Sequence, residues 1–178
     1  ETLEGAKNHP NLQAKLGPNQ GRGVAAGFWF NIGGESSATI NVNEDGTVSL
    51  VSGSPDIGGS RASMSMMAAE VLGIDVEQVR PIVGDTASVG FTFLTGGSRV
   101  TFATGMAVCE AAEEVVKIMK GRAAKIWEID YEAVEWKDGS AYPAGDNAGK
   151  FEPLSLADIA AKAGRTGGPI NAKGAVNA

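Results

Sequence analysis

Two short runs of this chain place glycine and hydroxyl residues where a helix should begin. One is Asp56-Ile57-Gly58-Gly59-Ser60-Arg61 and the other is Thr95-Gly96-Gly97-Ser98-Arg99-Val100-Thr101. A helix start leaves its first backbone N–H groups without internal partners and carries partial positive charge. Glycine lets a ligand approach that backbone, and serine or threonine adds a hydroxyl. Gly58, Gly59 and Ser60, with Thr95, Gly96, Gly97, Ser98 and Arg99, are therefore the candidate contacts for a phosphate or another polar cofactor. Arg99 stands at a helix start, where the dipole disfavours a cation. That position points to an anionic partner or to buried pairing.

Other chemistry is thinly supplied. Cys109 is the only cysteine and falls within an apolar helical pattern, so it reads as a small buried side chain. His9 is the only histidine, beside Pro10 in a polar stretch. Neither a Ser-His-Asp triad nor a histidine metal site can be built from this chain, and no catalytic or metal-ligating residue is assigned. A Gly-x-x-x-x-Gly-Lys phosphate loop is missing. The formal net charge of −6 argues against nucleic acid or an anionic membrane as partner. No apolar run is long enough to span a bilayer, and no signal peptide is visible. A cytoplasmic protein is expected.

The elements that must position these turns follow from pattern. With 178 residues, 43% of them hydrophobic and 20% charged, the chain can bury roughly 70% of its unfolded surface as one domain. Residues 1–20 read as a polar lead-in, residues 21–163 as the domain, and residues 164–178 as a loose Gly-rich tail. The run from Arg22 to Phe30 is glycine- and aromatic-rich and predicts a strand in a packed sheet, with Trp29 a core or interface aromatic. Ala38, Ile40 and Val42 alternate, Asp45-Gly46 marks a hairpin turn, and residues 47–51 pair back. Ser60 is the expected N-cap of a helix whose stripe is Met64, Met67, Ala68, Val71 and Leu72, with Gly73 as its C-cap. A short helical edge and a strand occupy residues 76–83. A long helix runs from about 97 to 126, burying Val100, Ala103, Ala107, Ala111, Val115 and Ile118. A second turn sits at Asp138-Gly139, and a short helix spans 154–163. Hairpins mixed with helices indicate an α+β two-layer domain with a mixed or antiparallel sheet.

In their order, Arg22-Gly23-Val24-Ala25, Gly53-Ser54-Pro55-Asp56-Ile57-Gly58-Gly59, Gly84-Asp85-Thr86 and Thr95-Gly96-Gly97-Ser98-Arg99, with Gly105 and Ala107 beyond, resemble one family. It is the molybdopterin-binding part of the large subunit of molybdenum hydroxylases: xanthine dehydrogenase, aldehyde oxidase and carbon monoxide dehydrogenase. The resemblance covers about residues 21–140. It implies molybdopterin with molybdenum, as the cytosine dinucleotide in a bacterial protein. Iron–sulfur clusters and FAD would lie on other domains or subunits, and a small molecule would be hydroxylated beside a heteroatom or oxidised as an aldehyde. The acidic-x-Gly-Gln-Gly turn of the family falls on residues 56–60, and its hydroxyl-rich run on residues 95–100. Thr95 and Ser98 match that run. Gly59 stands in place of the family's glutamine, and Val100 in place of a hydroxyl residue. The family's catalytic glutamate segment, Gly-x-Gly-Glu, is absent. A piece of a longer polypeptide is expected, one that grips the cofactor but does not turn over alone. A generic phosphate- or nucleotide-binding module, and a degenerate assembly domain without cofactor, remain as alternatives.

Overall fold

The computed structural model describes residues 1–178. Two short exposed helices, α1 (Thr2–Asn8) and α2 (Pro10–Gln13), open the chain. Strand β1 (Glu35–Val42) turns at Asp45-Gly46 into β2 (Val48–Ser52), with Val42 opposite Val48 and Ile40 opposite Leu50. Asp45 accepts from the Thr47 amide and hydroxyl, and Gly46 takes φ +82°, so both turn residues act as the hairpin pattern predicts. Helix α3 (Ser60–Leu72) follows and stops at Gly73 in the left-handed region, with φ +73°. Strand β3 (Val79–Val83) then pairs parallel to β2, a pairing that needs a crossover such as α3.

A short helix α4 (Thr86–Val89), capped by Asp85, leads to the second glycine turn. The long helix begins with one π turn over Val100–Thr104 and continues as α5 (Gly105–Trp127). It starts a few residues later than the sequence predicts, because Gly97 and Ser98 hold φ near +61° and +57° and cannot be helical. A second small sheet follows, built from β4 (Val134–Lys137), β5 (Ser140–Pro143) and β6 (Leu154–Ser155). Its hairpin turn uses Asp138 and Gly139, both at positive φ. Helix α6 (Leu156–Ala160) carries a Ser155/Asp158 capping box, and α7 (Ala163–Thr166) follows it. The result is an α+β domain.

Two expectations fail here. The stretch beyond residue 164 is not a loose tail. It contains β7 (Ile170–Asn177), which pairs antiparallel with β1 along its whole length and completes the sheet order β3-β2-β1-β7. Gly174 pairs with Ala38, and its missing side chain lets α5 press against the strand. A Cβ there would lie 2.0 Å from the Ala107 carbonyl oxygen and 2.7 Å from the Ala111 amide nitrogen. The glycine that made the segment look irregular is what lets the strand pack. The second failure is the run 22–30. It forms no strand, and Phe28, Trp29 and Phe30 lie exposed. Aromatic content favours a strand only where a neighbouring strand and a covered face exist.

The main core lies between the sheet and α3/α5. Ala38, Ile40, Val48, Leu50 and Val79 from the sheet meet Met64, Ala68 and Leu72 from α3 and Ala107, Ala111 and Val115 from α5. These are the alternating and helical positions that the sequence pattern selects. Val100 and Ile118 of the predicted stripe are only half-buried. A free edge amide of β7, at Ala175, is satisfied by the carboxylate of Glu110 on α5 at 2.9 Å. Replacing Gly174 with Val should cost about 3 kcal/mol, because neither the α5 backbone nor the β7 ladder can give way. Urea unfolding of Gly174→Val against wild type, read as a shift in midpoint, measures that loss.

Candidate functional site

The first glycine turn is open. Gly58 and Gly59 hold φ +68° and +79°, and a Cβ on either would meet nothing within 4 Å. The helix boundary differs from expectation. Gly59, not Ser60, is the N-cap residue, and it offers no side-chain oxygen. Asp56 replaces it, accepting from the Arg61 amide at 3.1 Å and from the Arg61 Nε at 2.8 Å. The Ser60 hydroxyl donates to the Pro55 carbonyl at 3.2 Å and to Asp56 at 3.3 Å. Hydrogen bonds from Arg61 hold the Asp56 carboxyl below its ordinary value. The amides of Gly58, Gly59 and Ser60 donate to no protein acceptor.

The second turn is built differently. The amides of Thr95, Gly96, Gly97 and Ser98 also donate to no protein acceptor, and Thr95 and Ser98 are exposed. Yet a Cβ on Gly97 would lie 2.3 Å from Ile32, and one on Gly96 would lie 2.8 Å from Leu94. Ile32 also donates its amide to the Gly97 carbonyl at 2.9 Å. Gly97 is therefore required by its φ and by packing against Ile32, whereas Gly58 and Gly59 leave free space.

Arg99 resolves the question raised by its position. It is 1% exposed, and no carboxylate is among its hydrogen-bond partners. Its Nε donates to the Gly33 carbonyl at 2.7 Å, its Nη1 to Phe93 at 2.9 Å and Leu94 at 3.4 Å, and its Nη2 to Gly34 at 3.3 Å and Glu35 at 2.8 Å. A further bond from Nη2 reaches the Ser36 hydroxyl at 2.6 Å. The cation is buried and paired with carbonyl dipoles, so its side chain is not free to meet an anion. Burial pulls its pKa down, and the nearby Glu35 charge opposes that.

The two helix starts meet along a narrow cleft. Ser54, Ser60 and Arg61 line it from the α3 side and Val100 from the π turn, over a floor of Leu50 and Met64. Of the predicted contacts, only Ser60 lies on this cleft. Thr95, Gly96, Gly97 and Ser98 sit beside it on the loop before Val100. Cys109 is half-buried on α5, with its thiol pushed up by burial, and takes no part. Sequence reasoning missed Ser36, Ser54 and Thr104, which join the two starts through buried hydroxyls. Isolated serines and threonines carry no periodic signal.

The sequence matches the family described as a molybdopterin cofactor-binding domain over residues 4–178. The chain belongs to this family. This molybdopterin cofactor-binding domain is 41% identical over 68 residues to the aldehyde oxidoreductase molybdenum-binding subunit PaoC of Escherichia coli (strain K12), spanning 38% of the chain and 9% of that relative. It is 29% identical over 125 residues to the nicotine 6-hydroxylase large subunit of Paenarthrobacter nicotinovorans, spanning 70% of the chain and 15% of the relative. Its fold is like that of the Cu,Mo-CO dehydrogenase, with a TM-score of 0.72 at 21% identity, over 80% of this chain and 18% of that one. Quinoline 2-oxidoreductase from Pseudomonas putida 86 gives a TM-score of 0.68 at 23% identity, over 81% of this chain and 19% of that one. The domain thus spans less than a fifth of the length of these relatives. No helix is long and apolar enough to cross a membrane.

Asp56 gives the molybdopterin cofactor-binding domain a testable acid limit. A folded-state pKa below the ordinary Asp value means that the carboxylate stabilises the fold at neutral pH. That contribution is lost as pH falls from about 4 through the folded value. Asp56→Asn should melt below wild type at pH 7, and the difference should shrink toward pH 3. Thermal unfolding of both proteins across this range measures it.

Proposed function

We propose that the two glycine turns hold the pyranopterin and its phosphate. Gly58, Gly59 and Ser60 would do so with backbone amides from the start of α3. Thr95, Gly96, Gly97 and Ser98 would add backbone amides and the Thr95 and Ser98 hydroxyls. Arg99 would contribute only its backbone amide. The observation that carries this reading is the set of amides in both turns that find no protein acceptor, together with the open space above Gly58 and Gly59. An anionic or strongly polar group suits such donors, and the positive end of α3 favours it. Gly59 in place of glutamine and Val100 in place of a hydroxyl residue leave the grip to the backbone and to Thr95 and Ser98.

When bound, the molybdenum of this cofactor supplies two-electron oxidation chemistry. The chain's own part is to orient the pterin and to exclude water from its polar edge. We further propose the cytosine dinucleotide form of the cofactor, and iron–sulfur and FAD groups on other domains or subunits that take the electrons onward. The substrate class proposed is an aldehyde or N-heterocycle, since relatives are named for aldehyde, nicotine and quinoline oxidation. A cytoplasmic location is proposed with it, where one unpaired cysteine suits a reducing compartment.

The test is molybdenum by elemental analysis and pterin by fluorescence after oxidation, on the native protein from its host. One molybdenum per copy is expected. Thr95→Ala with Ser98→Ala should weaken cofactor retention about tenfold or more, the scale of losing hydroxyl hydrogen bonds to a charged group. A folded native protein with neither metal nor pterin would overturn the reading.

A further inference from the structure

The buried hydroxyls between the two turns form a continuous path. Arg99 Nη2 donates to Ser36 Oγ at 2.6 Å. Ser36 Oγ lies 3.3 Å from Thr104 Oγ1, and Thr104 Oγ1 lies 2.8 Å from Ser54 Oγ. Ser36, Thr104 and Ser54 are 2%, 0% and 4% exposed, so water does not substitute for these bonds. A guanidinium can only donate. Ser36 therefore accepts from it, and each hydroxyl, with one donor and two acceptor sites, can bond the next, Ser36 with Thr104 and Thr104 with Ser54. Ser54 also lines the cleft it shares with Ser60 and Val100.

This path adds side-chain bonds between β1, the start of the long helix and the loop after β2. Arg99 closes the second turn like a clasp, because Phe93 and Leu94 on one side of residues 95–98 accept from Arg99 on the other. Thr104 belongs to the π turn, where the helical winding is wider and side chains are re-aimed. Ser54 opens the loop that ends in Gly58 and Gly59. A polar seam in an apolar core costs stability unless every member is satisfied, and it fixes one arrangement when they are.

We propose that Arg99, Ser36, Thr104 and Ser54 are positioning residues, a relay that holds the two glycine turns in one fixed relation for the pterin. The proposal rests on the reading of those turns as the cofactor's holders. It assigns these side chains no contact with the reacting atoms. Their role is to make the two sets of free amides act as one site.

The test uses the native protein with Thr104→Val, which keeps the shape and removes the hydroxyl, and Thr104→Ser, which keeps the hydroxyl. Arg99→Met strips donors from six acceptors and is expected not to fold, so it is not the discriminating variant. Val115→Ala in the α5 core serves as a control, compared at matched loss in melting temperature. Hydrogen exchange is read at Ile32 and Phe93, whose amides donate to Gly97 and Glu35 around the second turn, and at Ala62 and Ser63, whose amides donate to Gly59 at the first. Relative to the β1–β2 ladder, Thr104→Val should speed exchange about tenfold in both groups. Thr104→Ser and Val115→Ala should change it less than twofold. In the same preparations Thr104→Val should retain less than half the pterin, and Thr104→Ser the wild-type amount. Acceleration at only one turn or at neither, equal acceleration in Val115→Ala, or full pterin retention in Thr104→Val overturns the relay. A wild-type protein without pterin overturns the cofactor reading alone, and the exchange pattern still decides whether the turns are coupled.

Discussion

One buried cation organises the functional end of this domain. Removing a guanidinium from water is expensive, and it is tolerated only where good acceptors surround it. Here five carbonyls and one hydroxyl do so, drawn from residues 33–36 and 93–94. Residues 33–34 and 93–94 are irregular and residues 35–36 open β1, so Arg99 collects acceptors at the strand's entry and in the loop. By collecting them, Arg99 fixes the entry into β1, closes the loop ahead of the π turn and sets the direction from which α5 starts. Lysine has three donors on one point charge and could not replace the planar fork.

The two glycine turns look alike in sequence and serve different ends in space. Gly58 and Gly59 use glycine to leave room, and nothing of the protein occupies the volume beside them. Gly97 uses glycine to admit Ile32 from a distant segment. The first turn is a surface for approach, while the second is braced from behind and offers its outer amides and the Thr95 and Ser98 hydroxyls. On the proposed reading, one braced turn and one open turn would seat a flat polar group without the cost of ordering a loop at each binding event.

What the sequence reveals depends on how local the determining physics is. The β1–β2 hairpin, α3 with its Gly73 stop, and the Asp138-Gly139 turn rest on neighbours a few residues apart, and all are legible. The positive φ at Gly97 and Ser98, which delays the long helix, is hinted at only by the glycines. Strand β7 was hidden because its glycine answers to α5, far away along the chain. The run Phe28-Trp29-Phe30 misled for the converse reason: its residues favour a strand, but no partner strand pairs with them here. The free amides of the candidate site were visible in outline from the two Gly-Ser runs. The fate of Arg99 was not, since its acceptors are backbone carbonyls of residues 33–35 and 93–94 and a serine, none of which announces itself by type.

The pairing of β7 with β1 also dictates an order of events during synthesis. Glu35 meets Asn177 and Val42 meets Ile170, so one side of β1 stays unpaired until the last of these residues has left the ribosome. Helix α5 presses on β7 through Gly174, and Glu110 accepts from its edge amide at Ala175. The β1–β2 hairpin and α3 lie wholly ahead of β7 in the chain, so their own contacts do not wait for it. Contacts between such distant positions form late and slowly. Until this eight-residue strand is made, one edge of β1 lacks its native partner, and an open strand edge is a template for pairing with the wrong chain.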